Sequence, residues 1–116
     1  MTQSDKQRQG TLGEDAALAH LQSHGLRLVE RNFRCKGGEI DLIMQDRQSL
    51  VFVEVRQRAD MHYGGAAASI TMAKQRRLII AAQVYLLSIK QVPPCRFDVV
   101  AIDGNVLSWL QDAIQM

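Results

Sequence analysis

Two β-forming runs joined by a short polar segment constrain the fold of this chain more than any other feature. Residues 38–43 and 50–56 are rich in the apolar and β-branched side chains typical of strands. A turn over residues 46–49 would join them as a hairpin and would set the register of their pairing. In that register Asp41 lies directly opposite Glu54.

Facing carboxylates of this kind need a positive charge between them. Cross-strand partners have Cβ atoms roughly 4.5–5.5 Å apart, and like charges at that separation are destabilising. A hard divalent ion, Mg²⁺ or Mn²⁺, prefers carboxylate oxygens and would offset the repulsion. The same register places Glu39 opposite Arg56, where the two could form an ordinary ion pair. A one-residue slip or a bulge would turn one carboxylate to the other face.

The remaining pattern predicts the order α-β-β-β-α-β-β in one domain. Residues 1–10 are polar throughout and are expected to be a flexible tail, whereas residues 11–116 form the domain. Thr11 to Glu14 fits a capping box that would begin the first helix. The further elements are a strand at 26–34, a loop at 59–70, a helix at 71–88, strands at 96–102 and 106–110, and a helical turn at 111–116. This order predicts an α/β fold with a mixed sheet flanked by helices.

Composition sets limits on compartment and partners. The N-terminal residues lack the apolar stretch of a signal peptide and no run is long enough to span a membrane, so we expect a cytoplasmic protein. Cys35 and Cys95 lack zinc-type spacing and cannot form a disulfide framework. Residues 1–96 hold 14 basic and 9 acidic side chains, whereas residues 97–116 hold three acids and no base. A basic body is compatible with a polyanionic partner, although a mixed solvated surface also fits.

Five short motifs together carry a resemblance to a known family. They are residues 13–14 (GE), 31–34 (RNFR), 38–43 (GEIDLI), 52–56 (FVEVR) and 96–100 (RFDVV). An acid followed by a strand reading hydrophobic-Glu-hydrophobic-basic resembles the PD-(D/E)xK nucleases of the restriction-endonuclease-like fold. The full set is similar to the YraN family, predicted endonucleases that resemble archaeal Holliday junction resolvases. The resemblance covers the chain from Thr11 to about Ile114.

The resemblance implies a role for each motif residue. Asp41 and Glu54 would be the first and second metal ligands, and the carbonyl oxygen of Val55 a third. Glu14 would be the acid that the first helix brings to the metal, although it could equally be the capping-box residue. Glu39 is expected to be a supporting residue.

Arg56 departs from the superfamily pattern, because it stands where a lysine is usual. An arginine stays protonated and cannot act as a general base, but it can orient water or clamp a phosphate. If the mechanism needs a neutral amine, another lysine must reach the site, and Lys36 and Lys74 are the two that we consider.

Two basic groups are candidates for phosphate contact. Lys74 and Arg77 lie at the start of the long helix, and Arg34 and Lys36 lie near the first turn. Either group could equally be a solvated surface. Tyr63, in the 59–70 loop, is a further candidate for nucleic-acid contact.

The leading hypothesis is a Mg²⁺- or Mn²⁺-dependent nuclease that acts on DNA. Branched DNA and a homodimer are implied only by the likeness to resolvases. The alternatives are a catalytically inactive nucleic-acid-binding module of the same fold, which Arg56 favours, and an accessory factor that binds another protein.

Overall fold

The computed structural model of the protein describes residues 5–58 and 65–115. Five strands form a sheet in the order β1-β2-β3-β4-β5, in which β3 and β4 are parallel and the other neighbours are antiparallel. The α/β class, the mixed sheet and the predicted order are confirmed, and they are compatible with a restriction-endonuclease-like fold. The elements are α1 (Asp5–Ser23), β1 (Arg27–Cys35), β2 (Gly38–Asp46), β3 (Ser49–Arg58), α2 (Gly65–Ala68), α3 (Met72–Leu86), β4 (Cys95–Asp103) and β5 (Val106–Ile114).

Helices cover both faces of the sheet and bury a separate apolar layer on each. The layer under α1 consists mainly of Ala17, Leu21, Leu26, Leu42, Met44, Val51, Val53, Val100 and Ile102. The layer under α3 consists mainly of Ile40, Ile43, Phe52, Leu78, Ala81, Ala82, Phe97 and Val99. Along β3, Val51 and Val53 face α1 while Phe52 faces α3, as the two-residue period of a strand requires. The next residues on the α3 face are therefore Glu54 and Arg56.

Two glycines let the helices approach the sheet closely. A Cβ at Gly38 would overlap the carbonyl oxygen of Arg77 and would lie 3.1 Å from the nitrogen of Ala81. A Cβ at Gly13 would lie 2.6 Å from the side-chain oxygen of Gln57. The missing side chain at Gly38 brings the first turns of α3 down onto the start of β2.

The first helix begins at Asp5, so the predicted start at Thr11 and its capping box are wrong. Lysine, glutamine and arginine are good helix formers, and they extend the helix through residues 5–10 despite Gly10. No helix within the described residues is long and apolar enough to cross a membrane.

The end of the chain also differs from the prediction, because β5 continues to Ile114 where a helical turn was expected. The cause is Asp98, a fully buried carboxylate on β4. It accepts hydrogen bonds from Arg96 Nε (3.0 Å), Trp109 Nε1 (2.9 Å) and the backbone N–H of Asp112 (2.9 Å). Asp98 thus has a structural role, because it holds the distal half of β5 to the sheet.

The predicted loop at 59–70 contains the short helix α2. Its N-terminus is held by Asp103 at the end of β4, whose Oδ1 accepts the N–H of Ala66 at 2.7 Å. Tyr63 lies outside the residues that the structure describes.

Candidate functional site

The hairpin that carries the two carboxylates has the predicted register as far as it extends. The β2–β3 pairs run from Asp46↔Ser49 through Gln45↔Leu50 to Leu42↔Val53. Asp41 would form the next pair with Glu54, but here the strands part.

The Asp41 side chain fills the opening between the strands. Its Oδ2 accepts the backbone N–H of Val55 at 2.8 Å. Since a backbone N–H lies near the plane of a sheet, the Asp41 carboxylate lies at the sheet edge between the strands. In a strand the N–H and C=O of one residue point to the same neighbour, so the carbonyl oxygen of Val55 faces the same opening.

A kink shared by β1 and β2 causes this departure from a regular strand. Arg31 pairs with Leu42, and Phe33 pairs with Ile40. Leu42 packs under α1 and Ile40 packs under α3, although residues two apart normally share a face. The residue between Arg31 and Phe33 is Asn32, with φ of 54°. The two-residue alternation of a regular strand is therefore broken at Asp41.

The two carboxyl groups are buried and interact strongly. Burial, the charge of Asp41 and a hydrogen bond with Asp41 together raise the pKa of Glu54 to about 8, against the opposing effect of Arg56. Burial also raises the pKa of Asp41 to about 6, although the Val55 N–H acts against that rise. Near neutral pH the pair therefore holds a shared proton, and a cation between the groups would replace it.

This donor set fits a hard divalent cation. Two carboxylates and a backbone carbonyl are oxygen ligands of the kind that Mg²⁺ and Mn²⁺ take, with water completing the shell. Within residues 5–58 and 65–115, no three side chains of His, Cys, Asp or Glu lie close enough together to hold an ion. An ion here would accordingly depend on Asp41, Glu54 and backbone or solvent oxygens.

A basic cavity of about 60 Å³ lies beside Glu54 on the α3 face. It is lined by Glu39, Glu54, Arg56, Lys74 and Arg77. The structure thus brings Lys74 and Arg77, two of the predicted phosphate contacts, to the motif residues. Burial and the nearby Arg56 lower the pKa of the Lys74 amine. The cavity depends on the close approach of α3 at Gly38.

Arg56 is held by a side chain that the sequence analysis missed. Its Nε donates to Ser69 Oγ at 3.1 Å, and its Nη1 lies 3.7 Å from Glu54 Oε1. Ser69 Oγ in turn donates to the carbonyl oxygen of Ala66 at 2.6 Å. The expected pairing of Arg56 with Glu39 is replaced by these contacts. No sequence signal separates Ser69 from an ordinary surface serine.

Glu14 lies on α1 and contacts Arg31 rather than capping the helix. Arg31 Nη2 is 3.5 Å from Glu14 Oε1 and 2.9 Å from Asp15 Oδ1. The charge of Glu14 nevertheless contributes to the raised pKa of Asp41, so the side chain lies within electrostatic reach of the pair. A role for Glu14 at a metal stays a prediction.

The second predicted basic group is outside the cavity lining. Arg34 lies 3.7 Å from Glu39 as its cross-strand partner, and both side chains are at least half exposed. Lys36 is exposed in the β1–β2 turn. Of the two lysines considered as substitutes for the motif lysine, only Lys74 lines the cavity.

The fold and the site together define a class. The chain is an α/β protein compatible with the restriction-endonuclease-like fold, with two buried carboxylates where adjoining strands part and a basic cavity beside them. It belongs to the uncharacterised protein family UPF0102, whose family model matches residues 13–102. The YraN resemblance is thereby confirmed.

Similar proteins come from several bacteria. A UPF0102 protein of Janthinobacterium sp. (strain Marseille) is 63% identical over 110 residues, covering 95% of this chain and 89% of that protein. A UPF0102 protein of Herminiimonas arsenicoxydans is 62% identical over 106 residues, covering 91% and 86% respectively. One from Cupriavidus pinatubonensis is 59% identical over 114 residues, covering 97% and 90%.

Proposed function

We propose that this protein is a Mg²⁺- or Mn²⁺-dependent nuclease that hydrolyses phosphodiester bonds of DNA. The observation that carries the proposal is the juxtaposition of two buried carboxylates with a cavity lined by three basic side chains. Acidic groups suited to a cation and basic groups suited to a phosphate thus adjoin each other. The acidic pair alone would suit many metal proteins, and the adjoining basic cavity favours a phosphate ester as substrate.

Asp41, Glu54 and the carbonyl oxygen of Val55 would hold the ion. When bound, a divalent ion supplies polarisation of a phosphoryl oxygen and a bound water of lowered pKa. The protein holds the Asp41 carboxylate through the Val55 N–H, and Arg56 lies beside the Glu54 carboxylate.

The basic side chains of the cavity would bind the phosphate. Arg56 is fixed by Ser69 and presents a charged, planar group to the cavity, which suits hydrogen bonding to two phosphate oxygens. Arg77 adds a second positive charge from the next turn of α3 after Lys74.

Lys74 supplies an amine to the site from another element of the fold. Position 56 carries arginine, which cannot release its proton at useful pH. Lys74 lines the same cavity as Arg56, so we assign to it the water-orienting role of the usual motif lysine. The substitution Lys74→Met should therefore lower cleavage more than it lowers DNA binding, whereas Arg56→Met should lower both.

The substrate is proposed to be DNA in the cytoplasm, and branched DNA follows from the likeness to resolvases. A matched set of junction, duplex and single-stranded DNA of equal length would reveal the preference. The comparison needs low and constant salt, because phosphate contacts weaken steeply as salt rises.

The deciding experiment is cleavage by the purified protein with Mn²⁺, compared with Glu54→Ala and with the control Glu30→Ala. Glu30 is an exposed glutamate on β1. We expect Glu54→Ala to lower cleavage by about 100-fold or more, the scale of a lost charge-stabilising group, while Glu30→Ala keeps the wild-type rate. Equal cleavage by wild type and Glu54→Ala would refute the proposal that this protein is a nuclease.

A second candidate, an inactive nucleic-acid-binding module, is favoured by Arg56 at the lysine position. It predicts a gel shift on DNA at low salt without cleavage in Mg²⁺ or Mn²⁺. Absence of binding to every DNA form at low salt would instead favour an accessory role in binding another protein.

A further inference from the structure

We propose that Asn32 is a positioning residue, whose left-handed backbone conformation kinks β1 and β2 together and so sets the Asp41 carboxylate against Val55 and Glu54. The consequence for metal binding rests on the proposed function. The placement of Asp41 does not, and it can be measured without any metal.

The kink is local and is flanked by intact pairing. Arg31↔Leu42 precedes it and Phe33↔Ile40 follows it. A regular continuation from Leu42 would turn Ile40 towards α1, whereas Ile40 is fully buried under α3. In both strands the side chains thus change from the α1 face to the α3 face within one residue. This residue is Asn32 in β1 and Asp41, which lies opposite it, in β2.

The change of face gives the Asp41 carboxylate its position. A side chain in a regular strand stands roughly perpendicular to the sheet. At the kink, Asp41 Oδ2 instead reaches the N–H of Val55 at 2.8 Å, in the opening of the ladder. From there its charge raises the pKa of Glu54, on the α3 side, and the charge of Glu14, which extends from α1, in turn raises the pKa of Asp41.

The residue type at position 32 suits this role. A φ of 54° is disfavoured for L-residues by roughly 1–2 kcal/mol, and glycine and asparagine adopt it most readily. The Asn32 side chain is exposed, so packing does not explain the conformation. Asparagine is also depleted in strands, and its presence within the run 31–34 is the sequence signal for the kink.

The test compares Asn32→Gly, Asn32→Ala and Asn32→Val with the control Arg47→Val. Arg47 has φ of 57° in the turn that closes the β2–β3 hairpin, so valine there meets the same kind of backbone penalty at a position away from Asp41. Asn32→Ala provides the measurement if Asn32→Val does not fold. The probe is amide hydrogen exchange of Val55, measured on metal-free full-length protein.

We expect the Val55 amide to exchange at least 10-fold faster in Asn32→Ala or Asn32→Val than in Arg47→Val, after matching for stability. Asn32→Gly should retain the wild-type rate within about threefold. An unchanged exchange rate of the Val55 amide in both the alanine and the valine variants would overturn the positioning role of Asn32.

The second measurement is Mn²⁺ affinity by titration calorimetry on the same proteins. Asn32→Ala should bind Mn²⁺ about 10-fold more weakly than wild type, the usual effect of losing a group that orients a ligand, and Arg47→Val should bind normally. If wild type binds no Mn²⁺, the proposed function fails. The exchange rate of the Val55 amide, which is measured without metal, still tests the positioning role of Asn32. Equal Mn²⁺ affinity in wild type and Asn32→Ala would refute the inferred effect on the metal site.

Discussion

Neutralising Glu54 should stabilise the metal-free protein at alkaline pH. Glu54 is only 14% exposed, and burial together with Asp41 raises its pKa to about 8 from the ordinary 4.5. The substitution Glu54→Gln removes the charge and keeps a donor that can replace the protonated carboxyl in its hydrogen bond with Asp41. A residue proposed to bind the metal is thus expected to destabilise the fold when no metal is present.

The sign follows from proton linkage. Between pH 4.5 and 8 the folded protein holds a proton on Glu54 that the unfolded chain has released, so the free energy of unfolding falls as pH rises through this window. At 1.36 kcal/mol per pKa unit the full difference is about 5 kcal/mol. Asp41, whose pKa is raised from 3.8 to about 6, adds a contribution that overlaps because the pair shares its proton.

We therefore expect Glu54→Gln to be about 2–4 kcal/mol more stable than wild type at pH 8.5, and within about 1 kcal/mol of it at pH 4.5. Urea unfolding in EDTA at both pH values measures the difference. A rise in Tm of roughly 10 °C at pH 8.5 should accompany it. The control is Glu30→Gln, an exposed glutamate on β1, which should show no such pH-dependent gain.

Addition of Mg²⁺ at pH 8.5 should raise the stability of wild type and leave Glu54→Gln nearly unchanged, because a ligand stabilises only the state that binds it. The reasoning is refuted if Glu54→Gln is destabilised equally at both pH values. That result would mean that the carboxylate is well satisfied in its ionised form within the protein.

Three further substitutions test the packing and support of the site. Gly38→Ala should lower the free energy of unfolding, measured in urea, by about 3 kcal/mol or more, because the new Cβ would overlap the backbone of α3. The control is Gly25→Ala, where φ is 92° and a Cβ would have nothing within 4 Å; it should lower the free energy of unfolding by only about 1–2 kcal/mol. Asp98→Ala should lower the free energy of unfolding by about 3–5 kcal/mol and change tryptophan fluorescence, because it removes the buried acceptor shared by Arg96 Nε, Trp109 Nε1 and the Asp112 N–H. Ser69→Ala should weaken DNA binding about threefold to tenfold in a low-salt gel shift while changing stability by only about 1 kcal/mol, because it frees Arg56.

The hairpin register could be predicted because its determinants are local. Alternating apolar residues and a short polar turn fix the pairing of Gln45 with Leu50, and every pair counted from it holds as far as Leu42. The helix α3 could be predicted for the same reason, and its N-cap is Thr71, which accepts the N–H of Lys74.

The end of β5 was predicted wrongly because it depends on a partner far along the chain, whereas the start of α1 depends on local helix propensity. The residues after Leu110 continue as strand because Asp112 donates to Asp98, a contact that no local pattern reveals. The first helix extends back to Asp5 because ordinary helix formers continue it, where the capping-box signal at Thr11 indicated a start.

The site itself was only partly predictable. The proximity of Asp41 to Glu54 follows from strand period, but we infer that the placement of the Asp41 carboxylate in the opening between β2 and β3 depends on the conformation of Asn32. Lys74 enters the cavity because Gly38 admits α3, which is a packing effect between elements distant in sequence.

The parallel pairing of β3 with β4 has a consequence for how this protein folds. The chain must cross over through α2 and α3 before β4 arrives, and closing so long a loop is slow, whereas the β2–β3 hairpin forms from neighbouring residues. The two acids therefore meet early, before Lys74 and Arg77 can reach them.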